Sequence, residues 1–172
     1  MKTLIIVAHP NLNESKVNAI WKERLEQEEN VTIHDLYGKY PTGEIDVEKE
    51  QSLLLGHDRI LFQFPFYWFS TPSLLKKWQD EVYKYGFAYG TGNQLKGKEY
   101  GLVISAGKPE ESYSPEGSSK YTIEQFLLPL SATVLLTEMK YLDPFVLYRA
   151  PHISEREIRE SAEELVVYVK KQ

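Results

Sequence analysis

Three loops of this 172-residue chain carry side chains that could bind or react with a ligand, and the first runs from His9 to Lys16. It joins a short apolar run to a helical pattern that begins near Ser15. An imidazole, a hydroxyl and an ammonium beside the free amides of a helix N-terminus suit a phosphate. The loop contains no glycine, so it matches neither the G-x-G-x-x-G fingerprint nor a P-loop. Ser15 acting only as an N-cap, with His9 an ordinary loop residue, is the alternative interpretation.

The second loop covers residues 65–72 and is aromatic where a polar turn is the default. Its four consecutive rings belong to Phe66, Tyr67, Trp68 and Phe69. Rings of this kind, together with nearby backbone amides, suit a planar heterocycle. An aromatic cluster that caps the hydrophobic core is the alternative interpretation.

The third loop begins with small residues and leads to a tyrosine. Ser105, Ala106 and Gly107 allow close approach of a ligand to the backbone, Lys108 follows them, and Tyr113 could donate a hydrogen bond or a proton. Together the three loops offer an anion cradle, an aromatic wall and a glycine edge. This combination fits a phosphorylated flat cofactor such as FMN.

The elements that must position these loops follow from the hydrophobic pattern. Short apolar runs alternate with helical patterns, which is typical of βα units in a three-layer α/β fold. The runs predict strands over residues 4–8, 31–36, 60–64, 101–106 and 144–148. We expect a five-stranded parallel sheet of order 2-1-3-4-5 with helices on both faces, whose ligand lies beyond the carboxyl ends of the strands.

The predicted helices carry several boundary signals. One begins at Ser15, and two more cover residues 48–55 and 73–83. A helix from Thr122 is interrupted by Pro129, which predicts a kink or two pieces. Ser154 with Glu157 three residues later predicts a capping box for the last helix.

Composition excludes several classes of function. The chain has no cysteine, which excludes thiolate nucleophiles, iron–sulfur clusters and disulfides, and its net charge of -5 with scattered basic residues argues against nucleic-acid binding. We find no metal-ligand spacing among His9, His34, His57 and His152, so no metal site is expected. We expect one cytoplasmic domain over residues 1–172, without a signal peptide or a membrane span.

Specific motifs of the chain resemble the NAD(P)H:quinone oxidoreductases with a flavodoxin-like fold, and the resemblance covers nearly the whole chain. They are His9-Pro10, the run from Gln63 to Pro72 followed by Leu74-Leu75-Lys76, and the segment from Gly86 to Gly90. The short bacterial members are the most similar, including ancillary oxidoreductases of glutathione-gated potassium efflux systems and general stress proteins. DT-diaphorase, which uses FAD, is a more distant relative.

The resemblance implies FMN as cofactor rather than FAD, and NAD(P)H as co-substrate. The positions that it implies for flavin binding are His9, Ser15, Lys16, Val17, Asn18, Phe66, Tyr67, Trp68, Phe69, Ser105, Ala106, Gly107 and Lys108. It implies a catalytic role for Tyr113, which matches a family tyrosine near the flavin O2 edge. Tyr89 matches a residue that closes the site from a second subunit, so a homodimer is implied.

Two positions depart from the pattern of the family. Residues 105–108 stand where the family has Thr-Thr-Gly-Gly, so one hydroxyl and one glycine are lost. Ser119 stands where DT-diaphorase has the histidine that partners its tyrosine. A Tyr–His relay is therefore not available in that form.

We predict an FMN-dependent NAD(P)H:quinone oxidoreductase that transfers hydride by a two-electron ping-pong mechanism to a quinone or a similar acceptor. A different class is the alternative: a regulatory ancillary subunit of a potassium efflux transporter, peripheral to the inner face of the membrane, whose oxidoreductase activity is secondary or lost. A one-electron carrier of the flavodoxin type is a third hypothesis. The glycine-rich excursion over residues 86–97 argues against that third hypothesis.

Overall fold

The computed structural model describes residues 1–171 and contains a parallel sheet at its centre. Its strands are β1 (Thr3–Val7), β2 (Val31–Asp35), β3 (Arg59–Pro65), β4 (Glu99–Ser105), β5 (Lys140–Tyr141) and β6 (Phe145–Leu147). The strand order is β2-β1-β3-β4-β5, and β6 also pairs with β4. The predicted α/β class and sheet order are confirmed.

The fifth position of the sheet holds two short strands rather than the single strand predicted over residues 144–148. β5 pairs with the start of β4 and β6 pairs with its end. Pro144 lies between them and has no N–H to donate to a ladder. The edge is therefore interrupted where the chain passes this proline.

Helices flank the sheet, and a side chain caps the N-terminus of most of them. They are α1 (Lys16–Leu25), α2 (Leu36–Lys39), α3 (Val47–Leu55), α4 (Ser73–Val82), α5 (Ile123–Phe126), α6 (Leu128–Leu136) and α7 (Glu155–Lys170). The capping box of Ser154 and Glu157 is confirmed, and α5 and α6 are the two pieces that Pro129 predicted. The sequence pattern missed α2, a single turn that Asp35 caps through the Gly38 amide.

Alternate residues of β1 pack into two hydrophobic clusters, one on each face of the sheet. Ile5 contributes to the cluster with Trp21 of α1 and Leu165 of α7, whereas Ile6 contributes to the cluster with Trp78 of α4. Side chains of a strand point alternately to the two faces, so a strand covered on both faces is apolar throughout.

The register places the ends of three strands side by side. Val7 of β1 lies opposite Gln63 of β3, and Pro65 lies opposite Ser105 of β4. The loops after β1, β3 and β4 therefore leave the same edge of the sheet. The prediction of one domain over residues 1–172 stays a prediction, since Gln172 lies outside the described residues. None of the helices between residues 1 and 171 is long and apolar enough to cross a membrane.

Candidate functional site

A cavity of about 430 Å³ lies at the carboxyl ends of β1, β3 and β4. It brings together parts of all three loops that the sequence singled out. Its lining consists of His9, Glu14, Ser15, Lys16, Val17, Asn18, Pro65, Phe66, Tyr67, Ser105, Gly107, Ala150, Pro151 and Ile153. Sequence reasoning missed the segment from Ala150 to Ile153, which enters the site only because β6 ends beside β4.

A hydrogen-bonded network ties the three loops together beneath this cavity. The side-chain amide of Asn18 donates to Ser105 Oγ at 2.9 Å, and Gln63 Nε2 donates to the Asn18 carbonyl oxygen at 3.0 Å. Gln63 is fully buried, and its Oε1 has no hydrogen-bond partner within residues 1–171. Sequence reasoning did not place Gln63 in the site, although a lone amide in the apolar run Ile-Leu-Phe-Gln-Phe was a signal for it.

His9 presents one free donor to the cavity. Only 8% of the residue is exposed, and its Nδ1 accepts a hydrogen bond from the Asn11 amide at 3.1 Å. Burial lowers the pKa of His9 from 6.5, against smaller raising effects of the Asn11 hydrogen bond and the Asp35 carboxylate. The neutral ring therefore carries its hydrogen on Nε2, which donates to no atom of the described chain.

The N-terminus of α1 supplies further donors beside His9. Ser15 caps the helix by accepting a hydrogen bond from the Asn18 amide at 3.2 Å, which leaves the amides of Lys16 and Val17 without intramolecular acceptors. The Lys16 ammonium is exposed, and within residues 1–171 no carboxylate lies within 4.0 Å of it. Amides, the helix dipole and a cation together favour an anion at this end of the cavity.

A second cavity of about 320 Å³ adjoins the first and shares His9 and Glu14 with it. Asp35 and Tyr37 also line it, so it carries two carboxylates and no ammonium. Because like charges repel, the charges favour an anion in the first cavity, which has Lys16 beside its one carboxylate, Glu14.

The aromatic loop after β3 turns outward through an unusual backbone. Trp68 and Phe69 have φ angles of 48° and 61°, in the left-handed region, which costs about 1–2 kcal/mol for each residue that is not glycine. This turn leaves Trp68 93% exposed. The alternative in which the loop caps the core therefore does not apply to Trp68, which also lies outside the cavity lining.

Two other rings of this loop, Phe66 and Phe69, form an aromatic wall with Tyr113 and Phe126, whereas Tyr67 lies beside His9. Phe69 stacks on Phe126 of α5 with their centroids 4.7 Å apart, and Phe66 lies 6.0 Å from Phe126 and 6.1 Å from Tyr113. Sequence reasoning missed Phe126, whose place in an apolar helix resembles that of any core residue.

Tyr113 lies behind Phe66 rather than in the cavity lining, and 8% of it is exposed. Burial raises the pKa of Tyr113, and a contact with the Lys108 backbone opposes this effect. The hydroxyl is therefore protonated at neutral pH and can act as a hydrogen-bond donor.

The two departures from the family pattern meet in the structure. Lys108 Nζ lies 3.1 Å from Ser119 Oγ and 5.4 Å from the centroid of the Phe69 ring. Ala106, by contrast, is fully buried, and its amide donates to the Leu147 carbonyl oxygen at 2.8 Å. Ala106 and Lys108 are not among the residues that line the cavity.

Tyr89 lies away from this cavity within the same chain. Its ring contacts Tyr85 with centroids 5.8 Å apart, and its carbonyl oxygen accepts a hydrogen bond from the Gly86 amide. Its role in closing the site of a second subunit stays a prediction.

Comparison with known proteins places the chain among proteins of one fold. The family described as having a flavodoxin-like fold matches residues 1–169. An uncharacterized NAD(P)H oxidoreductase of Bacillus subtilis, YrkL, is 51% identical over 99% of this chain and 98% of its own length. General stress protein 14 of the same organism is 46% identical over 98% of this chain and 97% of its own length. The potassium-efflux ancillary protein KefG of Cronobacter sakazakii is 42% identical over 91% of this chain and 86% of its own length.

Solved structures of similar chains have the same fold. A chain described as a thermophilic tryptophan halogenase from Streptomycin violaceusniger has a TM-score of 0.96 and 46% identity, over 98% of this chain and 99% of that one. General stress protein 14 of Treponema denticola, solved in complex with FMN, has a TM-score of 0.93 and 39% identity, over 98% of both chains. An NADPH-quinone reductase from P. pentosaceus has a TM-score of 0.92 and 36% identity, over 100% of this chain and 99% of that one.

Proposed function

Because the chain belongs to the family with the flavodoxin-like fold, we propose that it is an FMN-dependent NAD(P)H:quinone oxidoreductase. The observation that carries this proposal is the cavity at the sheet edge. It has free hydrogen-bond donors for an anion at one end and aromatic rings at the other. Relatives with substantial identity support it: YrkL carries the name of an NAD(P)H oxidoreductase, one solved relative contains FMN, and another is named a quinone reductase.

The residues present fit FMN in size and in chemistry. The cavity of about 430 Å³ lies within the range of about 300–1,000 Å³ that is usual for small-molecule sites. At one end, His9 Nε2 and the amides of Lys16 and Val17 would hold the phosphate. At the other end, Phe66 and the open space beside Gly107, where an added Cβ meets no atom within 4 Å, would admit the edge of a flat ring.

Bound FMN supplies two-electron chemistry, in which a hydride from NAD(P)H serves, with one further proton from water, to reduce a quinone to a hydroquinone. The residues of this chain would bind the cofactor, orient it and shield it from water. His9, neutral and fixed by the Asn11 amide, would donate to the phosphate, and the Asn18–Ser105 bond would hold the two segments that flank the ring. The catalytic role of Tyr113 stays a prediction: its hydroxyl keeps the proton that a hydrogen bond to the ring edge needs, but it lies outside the cavity lining.

A ping-pong order is part of this proposal, and the single aromatic wall supports it. Nicotinamide and quinone are both flat, and both would need the same face of the flavin ring. They would therefore occupy the site in turn. Initial rates at several fixed quinone concentrations test this order, and parallel double-reciprocal lines are the expected result. Intersecting lines would show that both substrates bind together.

An absorbance spectrum of the purified protein with added FMN, before and after NADPH, tests the proposed function directly. We expect FMN to co-elute with the protein in gel filtration, to bleach with NADPH under argon, and to recover its colour when a quinone is added. Protein that retains no FMN and catalyses no NAD(P)H-dependent quinone reduction would disprove the proposal.

The exposed face of α6 supports a homodimer as part of this proposal. Leu128, Leu135 and Leu136 are 60%, 81% and 60% exposed, an apolar face that a second copy could cover. In such a dimer Tyr89 would reach the site of the partner. Light scattering should give twice the monomer mass, and Leu135→Glu should give the monomer; a monomeric native protein would contradict the dimer.

A second candidate function is that of an ancillary subunit of a potassium efflux system, placed at the inner face of the membrane. The similarity to KefG favours it. Deletion of this chain should then reduce potassium efflux, and the Gly107→Val variant, which should lack FMN, should restore it. Normal efflux in the deletion strain would remove this candidate.

A further inference from the structure

We propose that Lys108 is a specificity-determining cation that selects planar electron acceptors carrying a negatively charged substituent, such as a carboxylate or a sulfonate. The inference rests on the proposed function, because the electrons come from NAD(P)H through that reaction. Beyond the proposed function, Lys108 defines a class of substrate and recognises its charged group.

The position of the ammonium at the aromatic wall is the first observation. Lys108 Nζ lies 5.4 Å from the centroid of Phe69, and Phe69 stacks on Phe126. A flat acceptor against this wall would have its ring beside aromatic side chains and its substituent beside the ammonium. The wall and the cation together therefore recognise a ring with an anionic group rather than either feature alone.

The charge of Lys108 is the second observation. Its ammonium contacts two hydroxyls, Ser119 Oγ at 3.1 Å and Ser118 Oγ at 3.5 Å. In the part of the chain that the structure describes, no carboxylate lies within 4.0 Å of it, whereas Lys77 and Lys96 are paired with Glu81 and Glu138. A half-buried ammonium that no carboxylate of residues 1–171 neutralises attracts an anionic ligand.

The third observation is that both members of the Lys108–Ser119 pair are held in place. The Lys108 carbonyl oxygen accepts a hydrogen bond from the Arg149 amide at 3.1 Å, and the Ser119 amide donates to the Ser112 carbonyl oxygen at 3.0 Å. These bonds fix the two backbone positions from which the Lys108 ammonium and the Ser119 hydroxyl reach each other at the rim of the wall. Glu110 and Glu111 lie on the same loop, are exposed, and form no ion pair with Lys108.

Two acceptors with the same ring and different charge test the inference. The FMN-loaded full-length protein is assayed with 1,4-naphthoquinone and with its 2-sulfonate, and each variant is compared with the native protein so that intrinsic reactivity cancels. For Lys108→Met we expect kcat/KM for the sulfonate to fall about tenfold more than kcat/KM for the uncharged quinone. Lys108→Arg should restore most of the sulfonate rate.

The matched control is Lys120→Met, because Lys120 lies on the same loop, is exposed and forms no ion pair with residues 1–171. It should leave the ratio of the two acceptors unchanged. Raising the ionic strength from about 20 to about 200 mM should lower the sulfonate rate of the native protein but not that of Lys108→Met, since salt screens the attraction. Circular dichroism and FMN content confirm that each variant folds and binds the cofactor.

A binding measurement separates failure of this inference from failure of the proposed function. Quenching of tryptophan fluorescence gives the Kd of the sulfonate without turnover, and Lys108→Met should raise this Kd about tenfold. A protein that binds the sulfonate through Lys108 but reduces neither quinone would overturn the proposed function alone. The role of Lys108 would be overturned if Lys108→Met lost kcat/KM equally for both acceptors. It would also be overturned if only the ratio of the KM values for NADPH and NADH changed.

Discussion

The side-chain amide of Asn18 donates a hydrogen bond to Ser105 Oγ at 2.9 Å, although 87 positions separate the two residues along the chain. The bond joins the N-terminal turn of α1 to the end of β4. Asn18 also accepts from the buried Gln63 through its carbonyl oxygen, so one residue links the loops after β1, β3 and β4. The geometry of the candidate site therefore depends on a small buried polar network rather than on the loops separately.

Removing the Asn18 side chain should loosen this network. Asn18→Ala leaves Ser105 Oγ without its donor in a buried place, which should lower the free energy of unfolding by about 1–3 kcal/mol. Urea denaturation measures that loss, and FMN titration should show weaker binding. Asn13→Ala is the control, since Asn13 is exposed and makes no side-chain hydrogen bond within residues 1–171. A variant as stable as the native protein would contradict the role of the network.

A side chain at Gly107 should be compatible with the fold but should obstruct binding of the cofactor. An added Cβ at Gly107 meets no atom within 4 Å, so Gly107→Val should change the free energy of unfolding by less than about 0.5 kcal/mol. Because Gly107 lines the cavity, the same change should weaken FMN binding at least about tenfold, by obstruction of the ring edge.

Gly117 provides the opposite control in the same connection. A Cβ there would lie 2.4 Å from the Glu111 carbonyl oxygen, so Gly117→Ala should destabilise the fold. Thermal denaturation and FMN titration of both variants separate the two effects. Undiminished FMN affinity in Gly107→Val would show that the ring does not approach this loop.

His9 should contribute a pH dependence to stability. Its pKa in the folded protein lies below the ordinary value of 6.5, so below that pH the unfolded chain takes up a proton that the folded chain does not. Stability should therefore be complete above about pH 6.5 and fall as the pH decreases towards the lowered pKa.

Urea midpoints between about pH 5 and pH 7.5 test the contribution of His9. His9→Gln should flatten the curve in that window, and the exposed His152→Gln should not. An NMR titration of the His9 ring that gives a pKa above 6.5 would contradict the assignment.

Glu50 should act as a structural anchor away from the site. Its buried carboxylate accepts hydrogen bonds from Tyr40 Oη at 2.6 Å and Trp78 Nε1 at 2.8 Å, and His34 Nε2 lies 3.0 Å away. Burial alone would raise the pKa of Glu50, but the contacts with His34 and Tyr40 outweigh it and lower the pKa. Its stabilising contribution should thus be present above about pH 4.5 and be lost as the pH falls through the lowered pKa.

The Glu50→Ala change should cost about 3–5 kcal/mol, because it removes the acceptor of two buried donors, Tyr40 Oη and Trp78 Nε1, and the carboxylate beside His34. Glu48→Ala on the exposed side of the same helix is the control. Guanidinium denaturation of the two variants measures the difference. A loss no greater than that of the control would show that the cluster carries no stability.

The sequence by itself determined the order of strands and helices and the loops in which a site could form. Hydrophobic periodicity is local, and the carboxyl end of each strand in a parallel sheet is known once the strand is found. It missed α2 and β5, because such short elements depend on a cap or on pairing with a neighbour rather than on a pattern of their own.

Only the tertiary structure decided which side chains meet. The Asn18–Ser105 bond, the stacking of Phe69 on Phe126 and the Lys108–Ser119 contact each join residues that are remote along the chain or lie on different loops. Such contacts depend on the register of the sheet and on the path of each loop, to which local residue patterns are blind. The sequence showed Lys108 and Ser119 as two separate departures, and the fold made them one cationic site beside the aromatic wall.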